Sequence, residues 1–318
     1  VAYFGAPEPG AWEALRVFDF ETQETKTLFH DQGGSFSYYG TAWSPDDSEI
    51  YFTTYGDAWA EGWANLARCS AELIDQSPSQ VDFEFLSAQE LVPDARDGLV
   101  RAPNVISVDG DAKLLVSTHT FQEGPPSYLY DVIWYMDLID ATGDVDVSSA
   151  RPIVETTQLG DLTAFALSPD GDHMLVCIRG LPTESDLYLL SDIQAILAGG
   201  DPIEDLEDER VHPVDVNAGY VIAPGFSQDG THIVYSKDIT MRYRDWPGNL
   251  HETDFDIHVD TLQSALGGGN TLRIPQWGNQ MGMKASGGGT RVLWVDAFNK
   301  ESTTSLYVST LRIINDLE

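Results

Sequence analysis

The residues that decide the fold are Leu167-Ser168-Pro169-Asp170-Gly171, followed by the apolar run Met174-Leu175-Val176 and then by Asp186-Leu187-Tyr188-Leu189. Proline and aspartate favour the first positions of a reverse turn, glycine accepts positive φ, and serine and aspartate side chains hydrogen-bond to local backbone groups. Such a turn between two β-rich runs predicts a hairpin. We therefore assign Ser168 and Asp170 to turn chemistry and give them no catalytic role.

The same turn recurs along the chain. Ser44, Ser107, Ser168, Ser227 and Ser286 are separated by 63, 61, 59 and 59 residues. An apolar strand follows each turn, and a second strand follows that one. Four strands in each repeat of about 60 residues are the signature of propeller blades.

This motif resembles the TolB-like, WD40-like (PD40) propeller repeat, and the resemblance covers nearly the whole chain. The fourth copy, which begins at Leu167, is the fullest. The third copy has Val108 in place of proline, and the last, Ala285-Ser286-Gly287-Gly288-Gly289, has lost both proline and aspartate. The resemblance implies the fold rather than the activity, because such propellers serve as enzyme domains, periplasmic interaction modules and binding scaffolds.

We predict one all-β domain over residues 1–318, a six-bladed β-propeller of four-stranded antiparallel blades with incomplete first and last blades. The blades cover approximately residues 1–35, 36–98, 99–158, 159–218, 219–277 and 278–318. With strands A to D running from axis to rim, strand A is missing from the first blade and strand D from the sixth. Short helical turns are predicted at residues 191–199 and 260–267, directly after strand C of the fourth and fifth blades.

An unfilled strand position would leave a row of unpaired backbone groups at a sheet edge. Such an edge attracts a strand from another chain, including a second copy of this one. Head-to-tail use of such edges does not close on itself and gives a filament. The alternatives are a truncated chain or a rim strand that the fold can lose.

The net charge of the chain argues against two classes of binding partner. There are 17 Lys and Arg residues against 51 Asp and Glu, which gives a formal net charge of −34. Nucleic acids and anionic membrane surfaces are polyanions that would repel this chain, so neither is expected as a partner. No apolar run approaches the roughly 18–20 residues of a membrane span, and none is predicted.

Compartment and redox state are only weakly indicated. Cys69 and Cys177 lie in apolar strand-like stretches and are predicted to be buried free thiols. The chain begins at Val1 without a signal-like segment, which we interpret as a processing site or a truncation. We favour a secreted mature protein, extracellular or periplasmic, of bacterial origin.

Two acidic segments are candidates for metal binding. Asp140, Asp144 and Asp146 loosely resemble a calcium loop but lack EF-hand spacing, so a Ca²⁺ site is the prediction and a solvated loop the alternative. His251 and His258 flank Glu252, Asp254 and Asp256 and could take a divalent metal; the alternative is an acidic loop that enters a strand.

No known catalytic motif marks the chain as an enzyme. It contains no Gly-x-Ser-x-Gly elbow, no phosphate-binding loop and no dinucleotide fingerprint. A non-catalytic protein is therefore the expectation.

The loops that connect strands B and C are rich in aromatic residues. Loops of one type emerge on one face of a propeller, so their side chains can meet there and form a docking surface for a protein or a sugar. The alternative is that these rings only fix their own loops. The predicted binding residues of this aromatic loop face are Tyr55, Trp59, Trp63, Tyr128, Tyr130, Arg242, Tyr243, Arg244 and Trp246.

The sequence thus favours a non-enzymatic secreted propeller scaffold that binds other protein chains, with strand addition at incomplete blades as its mechanism. One alternative is a TolB-like periplasmic module that binds its partner through the aromatic loop face. Another is a metal-dependent, carbohydrate-active propeller enzyme.

Overall fold

A computed structural model of the chain shows an all-β, propeller-like fold of small antiparallel sheets. It describes residues 2–5, 14–19, 21–30, 36–55, 64–92, 97–108, 110–121, 129–139, 143–155, 161–181, 184–216, 219–227, 229–238, 255–267, 272–274, 279–285, 291–297 and 304–310. The chain divides into two compact units. The first comprises Val1–Asp161 with Ile196–Glu204, and the second comprises Leu162–Ala195 with Asp205–Glu318.

The first unit contains eleven described strands. They are β1 (Ala2–Gly5), β2 (Ala14–Phe18), β3 (Thr25–His30), β4 (Phe36–Trp43), β5 (Glu49–Tyr55), β6 (Ala64–Ser70), β7 (Asp82–Leu86), β8 (Asp97–Val108), β9 (Asp111–Phe121), β10 (Leu129–Leu138) and β11 (Val145–Glu155). β1, β2 and β3 form one antiparallel sheet, and β4 to β11 form a second sheet of eight strands. A 3-10 turn at Pro78–Gln80 and the helix α1 (Ala88–Leu91) lie on either side of β7.

The second unit also has one sheet of eight strands and one of three, in the reverse order along the chain. Its described strands are β12 (Asp161–Leu167), β13 (Met174–Leu181), β14 (Glu184–Leu190), β15 (Val211–Asp215), β16 (Tyr220–Phe226), β17 (His232–Asp238), β18 (Phe255–Thr261), β19 (Leu272–Ile274), β20 (Asn279–Ala285), β21 (Arg291–Ala297) and β22 (Thr304–Thr310). β12 to β19 form a sheet of eight strands, and β20 to β22 form a sheet of three. The predicted helical turns after strand C are confirmed as α2 (Ile193–Leu197) and α3 (Leu262–Gly267).

The number of separate sheets differs from the prediction. We predicted six separate blades, and the structure shows four hydrogen-bonded sheets. Adjacent four-stranded meanders merge where the first residue of one strand meets another strand in parallel, at Ala64 with Leu99 and at Ser185 with Tyr220. At the second junction, the Ser185 hydroxyl donates to the Val221 carbonyl at 2.5 Å and accepts from the Val221 N–H at 2.7 Å. The repeat in the sequence reveals the meanders but not these junctions.

The predicted turn chemistry is confirmed in three copies of the turn. The hydroxyls of Ser44, Ser168 and Ser227 donate to Asp46, Asp170 and Asp229, at 2.7, 2.5 and 2.5 Å. Each hydroxyl also accepts the N–H five residues further on, at 2.9 to 3.0 Å.

These hydrogen bonds lower the pKa values of two turn aspartates. The hydrogen bond from Ser227 lowers the pKa of Asp229, and those from Ser48 and Ser44 lower the pKa of Asp46. The ionised carboxylate is the form that these donors stabilise. The side chains of the turn serine and the turn aspartate thus hold the reversal between two strands.

Apolar side chains from consecutive meanders form the core of each unit. In the first unit, Leu15 and Leu28 pack with Ile50 and Phe52, all four of them fully buried. In the second unit, Leu175, Leu187, Ile233 and Tyr235 belong to one buried cluster. Burial of side chains of this size stabilises a fold by about 1.5–3 kcal/mol each.

A short turn fastens β10–β11 to β5–β6 within the first unit. The Tyr51 hydroxyl donates to the Gly143 carbonyl at 2.9 Å, and Arg68 donates to Asp144 at 2.7 Å. Gly143 has φ +88, and an added Cβ would lie 1.7 Å from the Tyr51 hydroxyl oxygen. Only glycine fits this position, because a side chain would meet both an unfavourable φ and the tyrosine.

Gly143→Ala is therefore expected to destabilise the protein by more than about 2 kcal/mol, the sum of backbone strain and displacement of Tyr51. Gly110→Ala is the matched control, since Gly110 has φ +92 and open space around it. That control should cost about 1 kcal/mol, for strain alone. Urea denaturation of both variants measures the difference, and equal losses would contradict the role of the contact with Tyr51.

Candidate functional site

Most of the predicted aromatic loop face lies outside the described residues. Tyr55 is the last residue of β5 and Tyr130 is the second residue of β10. The others fall in segments that the structure does not describe: Trp59, Trp63, Tyr128, Arg242, Tyr243, Arg244 and Trp246. The aromatic docking surface stays a prediction.

The two described residues of the predicted calcium site bond to different protein donors. Asp144 Oδ1 accepts from Arg68 Nη1 at 2.7 Å, while Asp146 Oδ1 accepts from the N–H and the hydroxyl of Ser148, at 3.0 and 2.6 Å. Asp140 lies outside the described residues. Both described carboxylates thus have protein donors, and the Ca²⁺ site stays a prediction.

The second metal hypothesis also falls largely outside the described part of the chain, which lacks His251, Glu252 and Asp254. His258 is buried and stacks on Tyr235 with a ring separation of 5.3 Å. Within the described residues, no group of three or more His, Cys, Asp and Glu side chains could hold a metal ion.

A buried ionic cluster that sequence reasoning missed lies across β8, β9 and β10. Antiparallel pairing places His119 of β9 opposite Leu99 on one side and opposite Asp131 on the other. Asp131 Oδ1 lies 2.5 Å from His119 Nδ1, and its Oδ2 lies 3.7 Å from Arg101 Nη2. Asp131 is fully buried, and Arg101 and His119 are each more than nine-tenths buried.

The chemistry of this cluster follows from its burial. A carboxylate removed from water is costly unless a charge and hydrogen bonds compensate it, and Arg101 and His119 provide both. The Asp131 contact also fixes the orientation of the imidazole, as a carboxylate does for a histidine that binds or transfers protons. The cluster therefore stabilises the three strands that contribute its residues.

The second unit also has an ionic cluster, whose side chains are largely buried. Lys237 Nζ lies 2.7 and 2.8 Å from the two carboxylate oxygens of Asp215, and the Tyr235 hydroxyl donates to Asp215 Oδ2 at 2.9 Å. Asp238, beside Lys237 on β17, is fully buried. The sequence signal for both clusters is a run of polar residues that ends an apolar strand, Ser117-Thr118-His119 and Ser236-Lys237-Asp238.

Comparison with solved structures identifies the fold. TolB from Acinetobacter baumannii superposes with a TM-score of 0.56 and 15% identity, covering 97% of this chain and 60% of that chain. The chain has the fold of a TolB-like β-propeller. A putative TolB from Agrobacterium tumefaciens gives the same TM-score and identity over 93% of this chain and 87% of its own.

A puromycin hydrolase is also similar, with a TM-score of 0.50 and 12% identity over 95% of this chain and 49% of that one. This chain thus spans about three fifths of the Acinetobacter TolB and about half of the hydrolase. At such identities the similarity shows the fold alone. No protein-family model and no curated protein matches the sequence. Among the described residues, no helix is long and apolar enough to cross a membrane.

Asp131→Asn is expected to destabilise the first unit by about 3–5 kcal/mol, because it removes the buried negative charge that compensates Arg101 and His119. Asp137→Asn is the control, since Asp137 is half-exposed and pairs with Lys113. That loss should stay under about 1 kcal/mol. Denaturant titration followed by tryptophan fluorescence measures both. A small loss for Asp131→Asn would mean that the cluster does not hold the strands together.

Cys69 and Cys177 are buried and take no part in a disulfide, as predicted. Burial raises the pKa of Cys69 to about 12 and also raises the pKa of Cys177. The native protein should therefore not react with a thiol-specific reagent at pH 8, whereas the protein in urea should titrate two thiols. Rapid labelling of either thiol in the native state would contradict the burial of these strands.

Proposed function

We propose that this chain is a non-enzymatic protein-interaction module built on a TolB-like propeller. The observation that carries the proposal is the fold similarity to TolB over 97% of the chain. The turn serines and aspartates bond to their own backbone, and the buried Arg101, Asp131 and His119 bond to one another. These residues thus support the fold, which is what a scaffold needs.

We also propose that the four sheets act as six blades. Each eight-stranded sheet consists of two antiparallel meanders of four strands, β4–β7 with β8–β11 and β12–β15 with β16–β19. The three-stranded sheets β1–β3 and β20–β22 would supply the remaining two. The first and last blades would then have three strands each, and the other four blades would have four.

The proposed mechanism of association is strand addition at β22. All seven residues of β22 pair with β21. Among the described residues, no strand pairs with the other edge of β22, where the four-stranded meanders have a fourth strand. The sequence Thr-Ser-Leu-Tyr-Val-Ser-Thr carries no charge, so electrostatic repulsion does not protect this edge. A strand from another protein, including a second copy, would complete it and would extend into a filament.

Two alternative functions remain proposals. A TolB-like partner-binding module would use the aromatic loop face. A metal-dependent, carbohydrate-active enzyme would need a metal site, and the described residues alone do not form one. A secreted location, extracellular or periplasmic, is consistent with the acidic composition and the TolB-like fold, and we propose it together with the interaction role.

Self-association is tested by light scattering after size-exclusion chromatography and by electron microscopy, each with and without a calcium chelator. We expect assemblies that grow with concentration. If the chelator disperses the assemblies, Ca²⁺ takes part in the contact between copies of the chain.

Tyr307→Pro and Val308→Pro are the matched variants. Consecutive residues of a strand point their N–H groups to opposite edges, so one of the two prolines removes a donor from the free edge and the other disrupts pairing with β21. The variant that keeps the native circular dichroism spectrum should remain monomeric. Monodisperse wild-type protein in all conditions would overturn self-assembly, and the search would then turn to Trp59, Trp63, Tyr243 and Trp246.

A further inference from the structure

The exposed large apolar side chains lie in one type of connection. Among the residues whose burial the structure describes, they are Leu73, Ile74, Ile139 and Leu266. Each lies between the third and fourth strands of a meander: Leu73 and Ile74 between β6 and β7, Ile139 between β10 and β11, and Leu266 in α3 between β18 and β19. Apolar residues that are exposed singly are common on protein surfaces. Leu73 and Ile74 differ, because they are adjacent and are 45% and 56% exposed.

Both ends of the segment that carries this pair are fixed by backbone hydrogen bonds. We call residues 71–76 the apolar loop. At its start, the Ala71 N–H donates to the Ser48 carbonyl at 2.8 Å. At its end, the Gln76 N–H donates to the Leu28 carbonyl at 2.8 Å and forms an isolated parallel bridge with β3. The apolar loop is therefore tied both to the turn before β5 and to β3.

The middle of the apolar loop is held from inside. The Gln76 side chain is buried, and its Nε2 donates to the carbonyls of Ser70 and Leu73, at 2.6 and 3.1 Å. Asp75 has φ +53, in the left-handed region that residues other than glycine seldom adopt. Its carboxylate lies 3.3 Å from His30 Nε2. Such a backbone conformation persists where the surrounding contacts enforce it, so the loop presents its two apolar side chains in one arrangement.

An apolar pair that is held in this way is a favourable point of contact for another protein. Ordering a loop on association weakens binding, and this loop is ordered before a partner arrives. The side chains that carry most of the binding energy in protein interfaces are those that enter well-packed pockets of the partner. The surface that matches Leu73 and Ile74 is therefore an apolar pocket.

Charge determines what surrounds that pocket. Glu72 and Asp75 lie on either side of the pair and are exposed, and the chain as a whole has a net charge of −34. A second copy, a nucleic acid or an anionic membrane would bring like charge to this loop and would be repelled. A protein with Lys or Arg around its apolar pocket is attracted instead.

We propose that the apolar loop is a docking element for a protein partner, with Leu73 and Ile74 in an apolar pocket whose rim carries Lys or Arg. The basic side chains of the partner pair with Glu72 and Asp75 at the edge of this contact. This inference rests on the proposed interaction function, and it names a second surface and the chemistry of the partner.

The probe is a β-cyclodextrin that carries amino groups on its rim, since its cavity is apolar and its rim is cationic. The controls are unmodified β-cyclodextrin and the carboxymethyl form, which has an anionic rim. Methyl NMR of the full chain follows each exposed aliphatic residue during the titration. The amino form should shift the signals of Leu73 and Ile74 at lower concentrations than those of Ile139 and Leu266. It should also bind the pair more tightly than either control, and added salt should weaken that preference.

Equal shifts at all four residues, or shifts at Ile139 and Leu266 alone, would overturn the docking element. Equal affinity of the pair for the amino form and the two controls would overturn the basic partner. Glu72→Gln should weaken binding of the amino form at Leu73 by up to about fivefold, the effect of one exposed ion pair. The matched control Glu207→Gln removes an exposed carboxylate from the second unit and should leave binding unchanged. Equal weakening by the two variants would mean nonspecific attraction to an acidic surface.

Hydrogen exchange of the wild-type protein tests the order of the apolar loop without any variant. The Gln76 N–H should exchange slowly before the probe is added, because it bonds to the Leu28 carbonyl. Rapid exchange would show that the loop is not ordered in advance, and the proposal would then be wrong.

The docking element and the proposed function fail separately. If the wild-type protein self-associates but the probe shows no preference for the apolar loop, only the docking element is wrong. If the probe binds there while the chain stays monomeric, strand addition at β22 is wrong and the docking element stands. Leu73→Ser with Ile74→Ser should leave self-association unchanged. Loss of the assemblies in this variant would make a second copy the occupant and would overturn the basic partner.

Discussion

The hydrogen bond from the turn serine to the turn aspartate is the constraint on which the rest of the structure depends. In three described copies the serine also accepts an N–H from the first residue of the next strand or from the residue just before it. This second bond fixes the register of the hairpin. Since side chains alternate along a strand, a slip of one residue would move every core side chain to the opposite face. The buried positions of Ile50, Leu175 and Ile233 thus follow from the turn that precedes each of them.

The strands were predictable because their signal is local. The turn, the apolar run and the second strand follow one another within about 25–35 residues, and the periodicity of each strand is contained in a short stretch of sequence. The terminal three-stranded sheets and the helices α2 and α3 were found in this way. The junctions between meanders were not, because a single parallel bridge such as that of Ala64 with Leu99 leaves no pattern in sequence.

The candidate site was harder to predict for the same reason. Arg101, His119 and Asp131 are separated by 18 and 12 residues, and only the pairing of three strands brings them together. Asp144 is a further case. Its carboxylate bonds to Arg68, which lies 76 residues earlier, and no local pattern in the sequence predicts that contact. The Ca²⁺ site among its acidic neighbours stays a prediction.

Several basic residues of this acidic chain pair with the chain's own carboxylates, and that affects the charge of its surface. Arg68 contacts Glu49, Asp82 and Asp144, at 3.0, 3.8 and 2.7 Å. Lys237 forms an ion pair with Asp215, and Arg210 forms one with Asp208. Cations that neutralise internal or neighbouring carboxylates do not balance the exposed ones, so the surface stays strongly negative. Such a field speeds association with basic partners and weakens as salt is added. A strongly negative surface therefore selects an approaching partner by its charge at long range, before short-range contacts can discriminate between sequences.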